Sequence, residues 1–233
     1  MNNKTAKLRT AFSIKEPNKL NVVDLFSGCG GLSLGFDMAG YNIKAMIDFD
    51  KDSLLTAEKN NLAEYYLNLD LFEEDWIKDL KAKVMLNEVD IIVAGPPCQG
   101  FSLTGPRNLD DKRNKLYKAV FELVEKAAPK AFLIENVKGM ETLYKGQVKE
   151  DIVQEFSKLG YKVVTRILNS RDFGVPQSRD RLFYVGLKKK EFAFPDPLFA
   201  EDEYTTCREA LDDLPSLEDL EEVLIYTSNE SSD

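Results

Sequence analysis

Short apolar runs alternate with helical patterns along most of the chain, and this alternation is the strongest constraint on its fold. Each run is bounded by glycine or polar residues, as is typical of strands buried on both faces. The runs occupy residues 20–26, 43–47, 89–94, 131–134, 161–168 and 181–187, and a further strand is expected before Asp70. Helical patterns cover residues 32–38, 52–60, 114–127 and 148–159. We therefore predict an α/β fold with a mostly parallel central sheet and helices on both faces.

The charge of the chain is unevenly distributed. The net charge is −9, but residues 191–233 contain fourteen acidic residues and one arginine, a net of −13, so the other 190 residues carry +4. The mildly basic body does not oppose a polyanionic ligand, because the acidity lies in one C-terminal stretch. We predict an N-terminal arm over 1–19, a folded domain over 20–190 and an acidic extension over 191–233.

Histidine is absent, and the three cysteines, Cys29, Cys98 and Cys207, are widely spaced. Without histidine, Ser-His-Asp and Cys-His nucleophiles and most zinc sites are excluded, so we expect no metal. Cys29 stands among glycines and is expected to be a packing residue. The chain has no apolar run of membrane-spanning length, and its polar N-terminal stretch lacks the apolar region of a secretory signal. An odd number of cysteines fits a reducing cytoplasm, where we expect the protein, away from any membrane.

A glycine-rich turn, Phe26-Ser27-Gly28-Cys29-Gly30-Gly31, follows the first predicted strand. Its glycines allow close backbone approach and leave free amides at a helix start, which favours a nucleotide-like ligand over a plain turn. Asp48 lies 20 residues after Gly28, where a carboxylate commonly holds a ribose. The alternative is a helix N-cap, which suits Asp50 better. Asp70 could accept a hydrogen bond from an adenine amino group or lie in a surface turn.

The segment after the strand at 89–94 reads Gly95-Pro96-Pro97-Cys98-Gln99-Gly100-Phe101-Ser102. Its two prolines stiffen the chain and place a thiol at the edge of the sheet. The alternative interpretation is a buried structural cysteine. The segment resembles the catalytic loop of cytosine-C5 DNA methyltransferases almost letter for letter.

Four other segments resemble motifs of that family and occur in the family's order. They are Asp24–Gly31, similar to its cofactor loop; Arg113-Asn114-x-Leu116, similar to the start of a helix that meets the cofactor; Glu135-Asn136-Val137, similar to its Glu-Asn-Val motif; and Gln177-Ser178-Arg179-Asp180-Arg181, similar to its Gln-x-Arg-x-Arg motif. The resemblance covers about residues 20–187. It implies a Rossmann-like fold of the S-adenosylmethionine-dependent methyltransferases.

The resemblance implies an enzyme, a DNA (cytosine-5-)-methyltransferase whose cofactor is S-adenosylmethionine. Cys98 would add to C6 of cytosine, and Glu135 would bind N3 and the exocyclic amine. Arg179 and Arg181 alternate on one predicted strand and would help position the base or its phosphate. The residues implied in cofactor binding are Phe26, Gly28, Gly30, Gly31, Asp48, Phe49, Asp70, Pro97, Asn114 and Leu116. Those implied in substrate binding are Gln99, Ser102 and Gln177.

The resemblance also implies duplex DNA as the substrate, and a cytosine in a duplex must leave the base stack to react. The segment 102–115 is expected to close over the displaced base. The family context implies a bacterial restriction-modification system, and so a protein associated with the nucleoid.

Single-chain members of the family continue into a target-recognition region that is not visible here, and residues 206–215 resemble the stretch that precedes it. We therefore expect a catalytic subunit that resembles the larger subunit of a split bacterial modification methyltransferase, with a second polypeptide for target recognition. A truncated fragment and a self-sufficient small enzyme are the alternatives.

Other functions stay open on the sequence alone. A transfer RNA cytosine-C5 methyltransferase would have a similar catalytic loop, and a non-catalytic cofactor-binding subunit would share the fold. A dinucleotide-dependent oxidoreductase would also share the fold, but it leaves the Pro-Pro-Cys segment unexplained.

Overall fold

The computed structural model describes residues 20–97 and 115–212, which form a seven-stranded sheet with helices. The strands are β1 (Asn21–Leu25), β2 (Asn42–Asp48), β3 (Tyr65–Asn68), β4 (Ile91–Ala94), β5 (Ala131–Val137), β6 (Lys162–Asn169) and β7 (Asp180–Leu187). The α-helices are α1 (Gly31–Met38), α2 (Lys51–Lys59), α3 (Trp76–Lys81), α4 (Lys115–Ala127), α5 (Gln147–Lys158) and α6 (Cys207–Leu211). Short 3₁₀ helices span Leu86–Glu88, Lys138–Glu141, Leu143–Gly146, Ser170–Phe173 and Glu201–Glu203.

The sheet has the strand order β3-β2-β1-β4-β5-β7-β6. Strands β1 to β5 pair in parallel, and β7 pairs antiparallel with β5. The chain builds outward from β1 to β3 and then returns to place β4 on the other side of β1. Such a reversal opens a crevice at the carboxyl ends of the strands, where α/β proteins bind ligands. Because β7 is antiparallel, its beginning lies at the same edge as the end of β5.

Two apolar cores cover the two faces of the sheet. Alternate residues of β1 point to opposite sides, with Val23 and Leu25 in one core and Val22 in the other. Helices α3, α4 and α5 pack on the first face through Leu80, Leu123, Phe156 and their neighbours, and α1 and α2 pack on the second. The predicted α/β fold, with a mostly parallel sheet and helices on both faces, is confirmed.

The described residues divide into two compact units. The larger contains residues up to 168 together with 180–196, and the smaller contains 169–179 and the residues from 197 onward. Within the smaller unit, the carbonyl of Asp172 accepts hydrogen bonds from the amides of Leu198 and Phe199. Tyr204 donates its hydroxyl proton to Asp172 Oδ1 at 2.8 Å, and the guanidinium of Arg171 lies 4.8 Å from the Tyr204 ring centroid. The first part of the acidic stretch is therefore organised around residues 169–179.

The structure differs from the predicted elements at several points, of which helix α3 and strand β5 bear on the packing and the site. Helix α3 is absent from the predicted elements, because a helix of six residues is too short for its hydrophobic periodicity to be recognised. Its apolar residues Trp76, Ile77 and Leu80 are nevertheless buried. Strand β5 continues beyond residue 134, where the prediction ended it. Its pairing with β7 continues to Val137 opposite Arg181, so backbone hydrogen bonding carries two polar residues into the strand. In the described part of the chain, no helix is long and apolar enough to cross a membrane.

Gly186→Ala is expected to lower the free energy of unfolding by about 1–3 kcal/mol through overpacking. Gly186 pairs with Phe132 across β5 and β7, and a Cβ atom at Gly186 would lie 2.2 Å from Phe132 Cε1. The ring cannot yield easily because it is fully buried, with its centroid 4.3 Å from that of Phe156. Urea denaturation measures the effect. Gly139→Ala, where a Cβ would have no atom within 4 Å, is the control, and equal stability of the two variants would contradict the prediction.

Candidate active site

The glycine-rich turn joins β1 to α1, and three of its residues have left-handed backbone conformations. Phe26, Gly28 and Gly30 have positive φ angles of 57°, 53° and 96°. The value at Phe26 is uncommon for a bulky residue and marks local strain of the kind that gathers at functional sites. Gly30 is also required for space, since a Cβ atom there would lie 2.5 Å from Leu62 Cδ1. By contrast, a Cβ at Gly28 or Gly31 would lie more than 4 Å from any atom of residues 20–97 and 115–212 outside its own turn, so within this part of the chain the space over the turn is open.

Asp48, the last residue of β2, holds this turn in place. Its Oδ2 accepts a hydrogen bond from the amide of Gly28 at 2.8 Å, and its Oδ1 accepts one from the amide of Asp50 at 2.9 Å. Asp50 is the N-cap of α2, and its side chain accepts a hydrogen bond from the amide of Asp52. This is the N-cap role that the sequence analysis considered for Asp50. A carboxylate has about four acceptor positions, so Asp48 keeps capacity for a ligand hydroxyl.

Phe49 stands exposed next to Asp48. Its side chain is 76% exposed, although it follows a buried strand. The amide group of Asn68, at the end of β3, donates to the carbonyls of Asp48 at 3.1 Å and Phe49 at 2.8 Å and so fixes the backbone below the ring. Asp70 lies just beyond β3, is exposed, and caps a turn by accepting from the amide of Phe72. The carboxylate of Asp48, the ring of Phe49 and the carboxylate of Asp70 thus lie at or just beyond the carboxyl ends of β2 and β3.

Asp24 is a carboxyl group buried within the fold beneath the turn. It is fully buried, and its Oδ2 accepts a hydrogen bond from the Ser33 hydroxyl of α1 at 2.7 Å. Burial raises the pKa of Asp24 to about 7; the hydrogen bonds from Ser33 oppose this rise, and the charge of Asp48 adds to it. Among the described residues, neither Asp24 Oδ1 nor the buried hydroxyl of Ser27 has a hydrogen-bond partner.

Glu135 and Arg181 form an ion pair where the end of β5 meets the beginning of β7. Arg181 Nε lies 2.7 Å from Glu135 Oε1, and both side chains are about three-quarters buried. A second guanidinium nitrogen, Nη1, donates to the carbonyl of Asp180 at 2.8 Å. Lys138, the first residue of the 3₁₀ helix after β5, pairs with the carboxylate of Asp180, the first residue of β7, at 2.9 Å. The antiparallel register therefore joins two of the residues predicted from separate motifs.

Gly95 is the point at which the turn and the ion pair approach the Pro-Pro segment. A Cβ atom at Gly95 would lie 3.9 Å from Glu135 Oε2 and 4.0 Å from the carbonyl oxygen of Phe26. The amide of Gly95 donates to the carbonyl of Leu25 at 3.3 Å, which ties it to the end of β1. The carboxylate, the glycine-rich turn and the start of the proline segment thus meet at one corner of the sheet.

Asn136 is a residue of this corner that the sequence did not single out. It is 3% exposed, and its Nδ2 donates to the carbonyl of Pro96 at 3.1 Å and lies 3.4 Å from the Tyr117 hydroxyl. Its Oδ1 accepts from the amide of Val137. Burial raises the pKa of Tyr117 far above its usual range, so the phenol stays neutral. Its place in the Glu135-Asn136-Val137 motif was the signal that could have found it, whereas its contact with Pro96 depends on the strand order.

Arg179 and Gln177 differ from their predicted setting. The sequence placed Arg179 and Arg181 on one strand with their side chains on one face, but β7 begins at Asp180. The amide of Arg179 donates instead to the side chain of Asn169 at 3.2 Å, outside a regular ladder. Asn169 also donates to the Ser178 hydroxyl, and the carbonyl of Gln177 accepts from Ser170. Arg179 and Gln177 are exposed residues of the smaller unit.

Several predicted site residues cannot be placed from the described part of the chain. Cys98, Gln99, Ser102 and Asn114 lie outside the described residues, as does the segment 102–114. Pro97 is described and exposed, and Leu116 belongs to α4. Cys29 is exposed, so the prediction of a packing residue there is wrong; Gly30, with its close neighbours, takes that role. Within residues 20–97 and 115–212, no cluster of three or more Cys, Asp or Glu side chains is arranged to hold a metal ion.

Comparison with known proteins identifies this arrangement. The family model described as C-5 cytosine-specific DNA methylase matches residues 20–231. The chain is 43% identical over 209 residues to the type II methyltransferase M.DdeI of Desulfomicrobium norvegicum, covering 85% of this chain and 49% of that protein. It is 38% identical over 187 residues to the type II methyltransferase M.AquIA of Picosynechococcus, covering 76% of this chain and 75% of that protein.

A solved structure agrees with these matches. The crystal structure of a prophage-encoded DNA modification methyltransferase from E. coli superposes with a TM-score of 0.70 at 32% identity, covering 85% of this chain and 56% of that one. The predicted Rossmann-like methyltransferase fold is confirmed. The chain spans about half the length of M.DdeI and of two further type II relatives, M.BsuRI and M1.HphI.

Asp24→Asn is expected to flatten the pH dependence of stability. Because the pKa of Asp24 in the folded state lies near 7, above its unfolded value of about 4, the folded protein keeps a proton that the unfolded chain releases. This contribution to stability is complete below about pH 4 and is lost as pH rises through about 7, whereas the variant has no such group. Urea denaturation across this range compares the two proteins, and identical pH profiles would contradict the burial of a protonated Asp24.

Proposed function

The chain belongs to the C-5 cytosine-specific DNA methylase family, and on that premise we propose that it transfers a methyl group from S-adenosylmethionine to C5 of cytosine in duplex DNA through a covalent bond between Cys98 and C6. The observation that carries the proposal is the corner at Gly95, where the Glu135 carboxylate, paired with Arg181, adjoins the glycine-rich turn and the Pro96-Pro97 segment. The catalytic domain would cover residues 20–190.

The first step of the proposal is that the glycine-rich turn and the neighbouring strand ends fit S-adenosylmethionine. The open space over Gly28 and Gly31 gives a ligand access to the backbone at the start of α1. Phe49 offers an exposed ring against which a purine can stack, and Asp48 keeps acceptor capacity for a ribose hydroxyl pair. Among the described residues the Ser27 hydroxyl has no hydrogen-bond partner, and it adds a polar atom that an amino-acid moiety could satisfy.

The residues proposed to hold the cofactor follow from this fit. They are Phe26, Gly28, Gly30, Gly31, Asp48, Phe49 and Asp70, joined by Pro97, Asn114 and Leu116 from the resemblance. When bound, S-adenosylmethionine supplies the electrophilic methyl group of the reaction.

Cys98 is proposed to attack cytosine first, because C5 of cytosine is too weak a nucleophile to take the methyl group unaided. Addition of the Cys98 thiolate to C6 forms an S–C6 bond and gives C5 the character of an enamine carbon. After C5 is methylated, loss of its proton and cleavage of the S–C6 bond return the thiolate. The chain has no histidine to take the thiol proton, so loop amides and neighbouring positive charges are proposed to stabilise the thiolate.

Glu135 is proposed to bind the Watson–Crick edge of the displaced cytosine. Its Oε1 is held by Arg181, whereas its Oε2 faces the Gly95 corner, where it can interact with N3 and the exocyclic amine. Among the described residues, Arg181 uses two of its five N–H groups on Glu135 and Asp180, and we propose that others bind the base or a phosphate. By the family resemblance, Arg179 is proposed to help position the base or its phosphate, and Gln99, Ser102 and Gln177 are proposed to contact the DNA.

Target recognition is proposed to come from a second polypeptide. The curated relatives extend over about twice the matched length, and this additional half is the candidate source of sequence recognition. M.AquIA is also named a type II methyltransferase although the matched region makes up 75% of it, which supports a family member built on little more than this region. The type II relatives support a role in a bacterial restriction-modification system, and with that role we propose a place in the cytoplasm, at the nucleoid.

Methyl transfer is expected only when the proposed second polypeptide is present, and Cys98→Ala is expected to abolish it. The assay incubates the chain with labelled S-adenosylmethionine and unmethylated duplex DNA, alone and with the product of the neighbouring gene, and counts label in cytosine. Calorimetric titration with S-adenosylmethionine checks that the cofactor still binds.

The control variant is Cys207→Ala, which removes an exposed thiol to which the proposal gives no role. Incorporation of label into DNA by the chain alone would contradict the proposal that a second polypeptide is required. Label in transfer RNA but not in DNA would replace the substrate, and turnover by Cys98→Ala would remove the covalent mechanism.

Glu135→Gln is expected to slow methyl transfer by about 10²- to 10⁴-fold, because the amide cannot provide the proton or charge that N3 requires when C6 is attacked. Cofactor affinity is expected to stay within about twofold, since Glu135 is not among the residues proposed to hold the cofactor. Single-turnover rates measure the first effect, and calorimetry measures the second. Glu141→Gln changes a carboxylate paired with Lys149 at 3.8 Å and serves as the control. A similar loss in both variants would contradict the assigned role.

A further inference from the structure

We propose that Lys138 and Asp180 are positioning residues for the reaction, because their ion pair holds the peptide that orients Arg181. The inference rests on the proposed function, since it gives this pair a task in placing the arginine and the carboxylate that are proposed to bind the cytosine. Three contacts in sequence carry it. Lys138 Nζ lies 2.9 Å from Asp180 Oδ2. Arg181 then donates from Nη1 to the carbonyl of Asp180 at 2.8 Å and places Nε 2.7 Å from Glu135 Oε1.

The ion pair begins where the backbone pairing of β5 with β7 ends. Val137 and Arg181 are the last residues paired between the two strands, and Lys138 and Asp180 are the next residue on each side. The chain turns into a 3₁₀ helix at Lys138, so the register of the two strands stops at Val137. Strand ends that lose their backbone partners open first. The side chains of Lys138 and Asp180 supply a link at this point across 42 positions of the chain.

Two ion pairs hold this junction from opposite faces of the sheet. Successive residues of a strand point to opposite faces, so the side chains of Asp180 and Arg181 leave β7 on different sides. Arg181 shares its face with Glu135, whose partner Phe183 lies two residues further along β7. Asp180 shares the other face with the buried Leu182. Splaying of the two strand ends is therefore opposed on both faces.

The peptide at Asp180 determines how the guanidinium of Arg181 is turned. An arginine side chain is flexible, but its planar head group is fixed in direction once two of its nitrogens are engaged. Nε is engaged by Glu135 and Nη1 by the carbonyl of Asp180. If that carbonyl rotates away, the head group can turn about the remaining contact of Nε. Glu135 Oε1 then loses a fixed partner, and the direction of Oε2 towards Gly95, where the base would enter, is no longer set.

The exposure of the ion pair favours this task over one in overall stability. The Lys138 side chain is 61% exposed and that of Asp180 is 35% exposed, and ion pairs in such settings contribute little to the free energy of unfolding. The hydrogen bond to Asp180, followed by the charge of Asp180, raises the pKa of Lys138, so the lysine stays charged. Catalytic groups need placement to within about half an ångström, so a link too weak to hold the fold together can still set the rate.

The test follows the Nε–H group of Arg181 by ¹⁵N NMR in the whole chain, and it needs neither DNA nor cofactor. Arg181→Lys identifies the resonance, and the rate at which its proton exchanges with water reports how firmly the group is held. Lys138→Gln and Asp180→Asn each remove one charge of the pair. The double variant, Lys138→Glu with Asp180→Lys, reverses the two charges and retains their attraction.

Each single variant is expected to speed this exchange by about two- to fivefold, the range that loss of an exposed ion pair allows, and the double variant is expected to recover about half of the lost protection. Single-turnover methyl transfer, measured with the second polypeptide, is expected to slow in the same order, while the affinity for S-adenosylmethionine stays within about twofold. Unchanged exchange in both single variants, an unchanged rate of methyl transfer, or no recovery in the double variant would overturn the proposal. Absence of methyl transfer by the wild type would refute the proposed function, but the exchange rates would still decide whether the pair orients Arg181.

Lys130→Gln is the matched control at the other end of β5. Lys130 immediately precedes the strand, its side chain is 68% exposed, and its Nζ lies 2.7 Å from Asp90 Oδ1. It is thus an exposed lysine in an ion pair with an aspartate, as Lys138 is, but it lies a strand length from Arg181. The exchange rate and the rate of methyl transfer of this variant are expected to match those of the wild type. An equal effect of Lys130→Gln on the Arg181 Nε–H group would assign the change to general loosening of the fold and also overturn the proposal.

Discussion

The antiparallel pairing of β7 with β5 is the constraint on which the candidate site depends. In a wholly parallel sheet, the start of β7 would lie at the edge opposite to the end of β5, and Arg181 would be a strand length from Glu135. With the observed register, Val137 faces Arg181, and the guanidinium reaches the carboxylate at 2.7 Å. The reversal of one strand therefore brings a late motif back to the edge where the glycine-rich turn and the proline segment already lie.

Much of the fold could be predicted from the sequence because its signals are local. Buried strands appear as apolar runs, and the glycine turn is recognisable because positive φ angles at Gly28 and Gly30 favour glycine. Elements that depend on tertiary pairing were harder to predict. Strand β5 includes Glu135 and Asn136 because β7 supplies backbone partners, and nothing in two polar residues indicates this beforehand.

The candidate site shows the same division between local and non-local information. Glu135 and Arg181 were selected through motif resemblance, and the structure places them in contact. Asn136 belongs to the same motif as Glu135, but its contact could not be predicted, because Pro96 becomes a neighbour only once β4 and β5 are known to be adjacent. The alternation of Arg179 and Arg181 predicted that both lie on one strand. In the structure, the amide of Arg179 donates a hydrogen bond to the Asn169 side chain, and the strand begins one residue later.

The distribution of hydrogen bonds around Glu135 bears on how a partly buried carboxylate can remain reactive. Removing a carboxylate from water is unfavourable unless positive charge or donors compensate, and Arg181 provides both on Oε1. The ion pair with Arg181 thus stabilises the partly buried Glu135 carboxylate through Oε1 alone. Oε2 faces the Gly95 corner. A side chain at Gly95 would occupy the space between Oε2 and the carbonyl of Phe26. Glycine at this position therefore keeps open the place where a base would have to enter for the carboxylate to act on it.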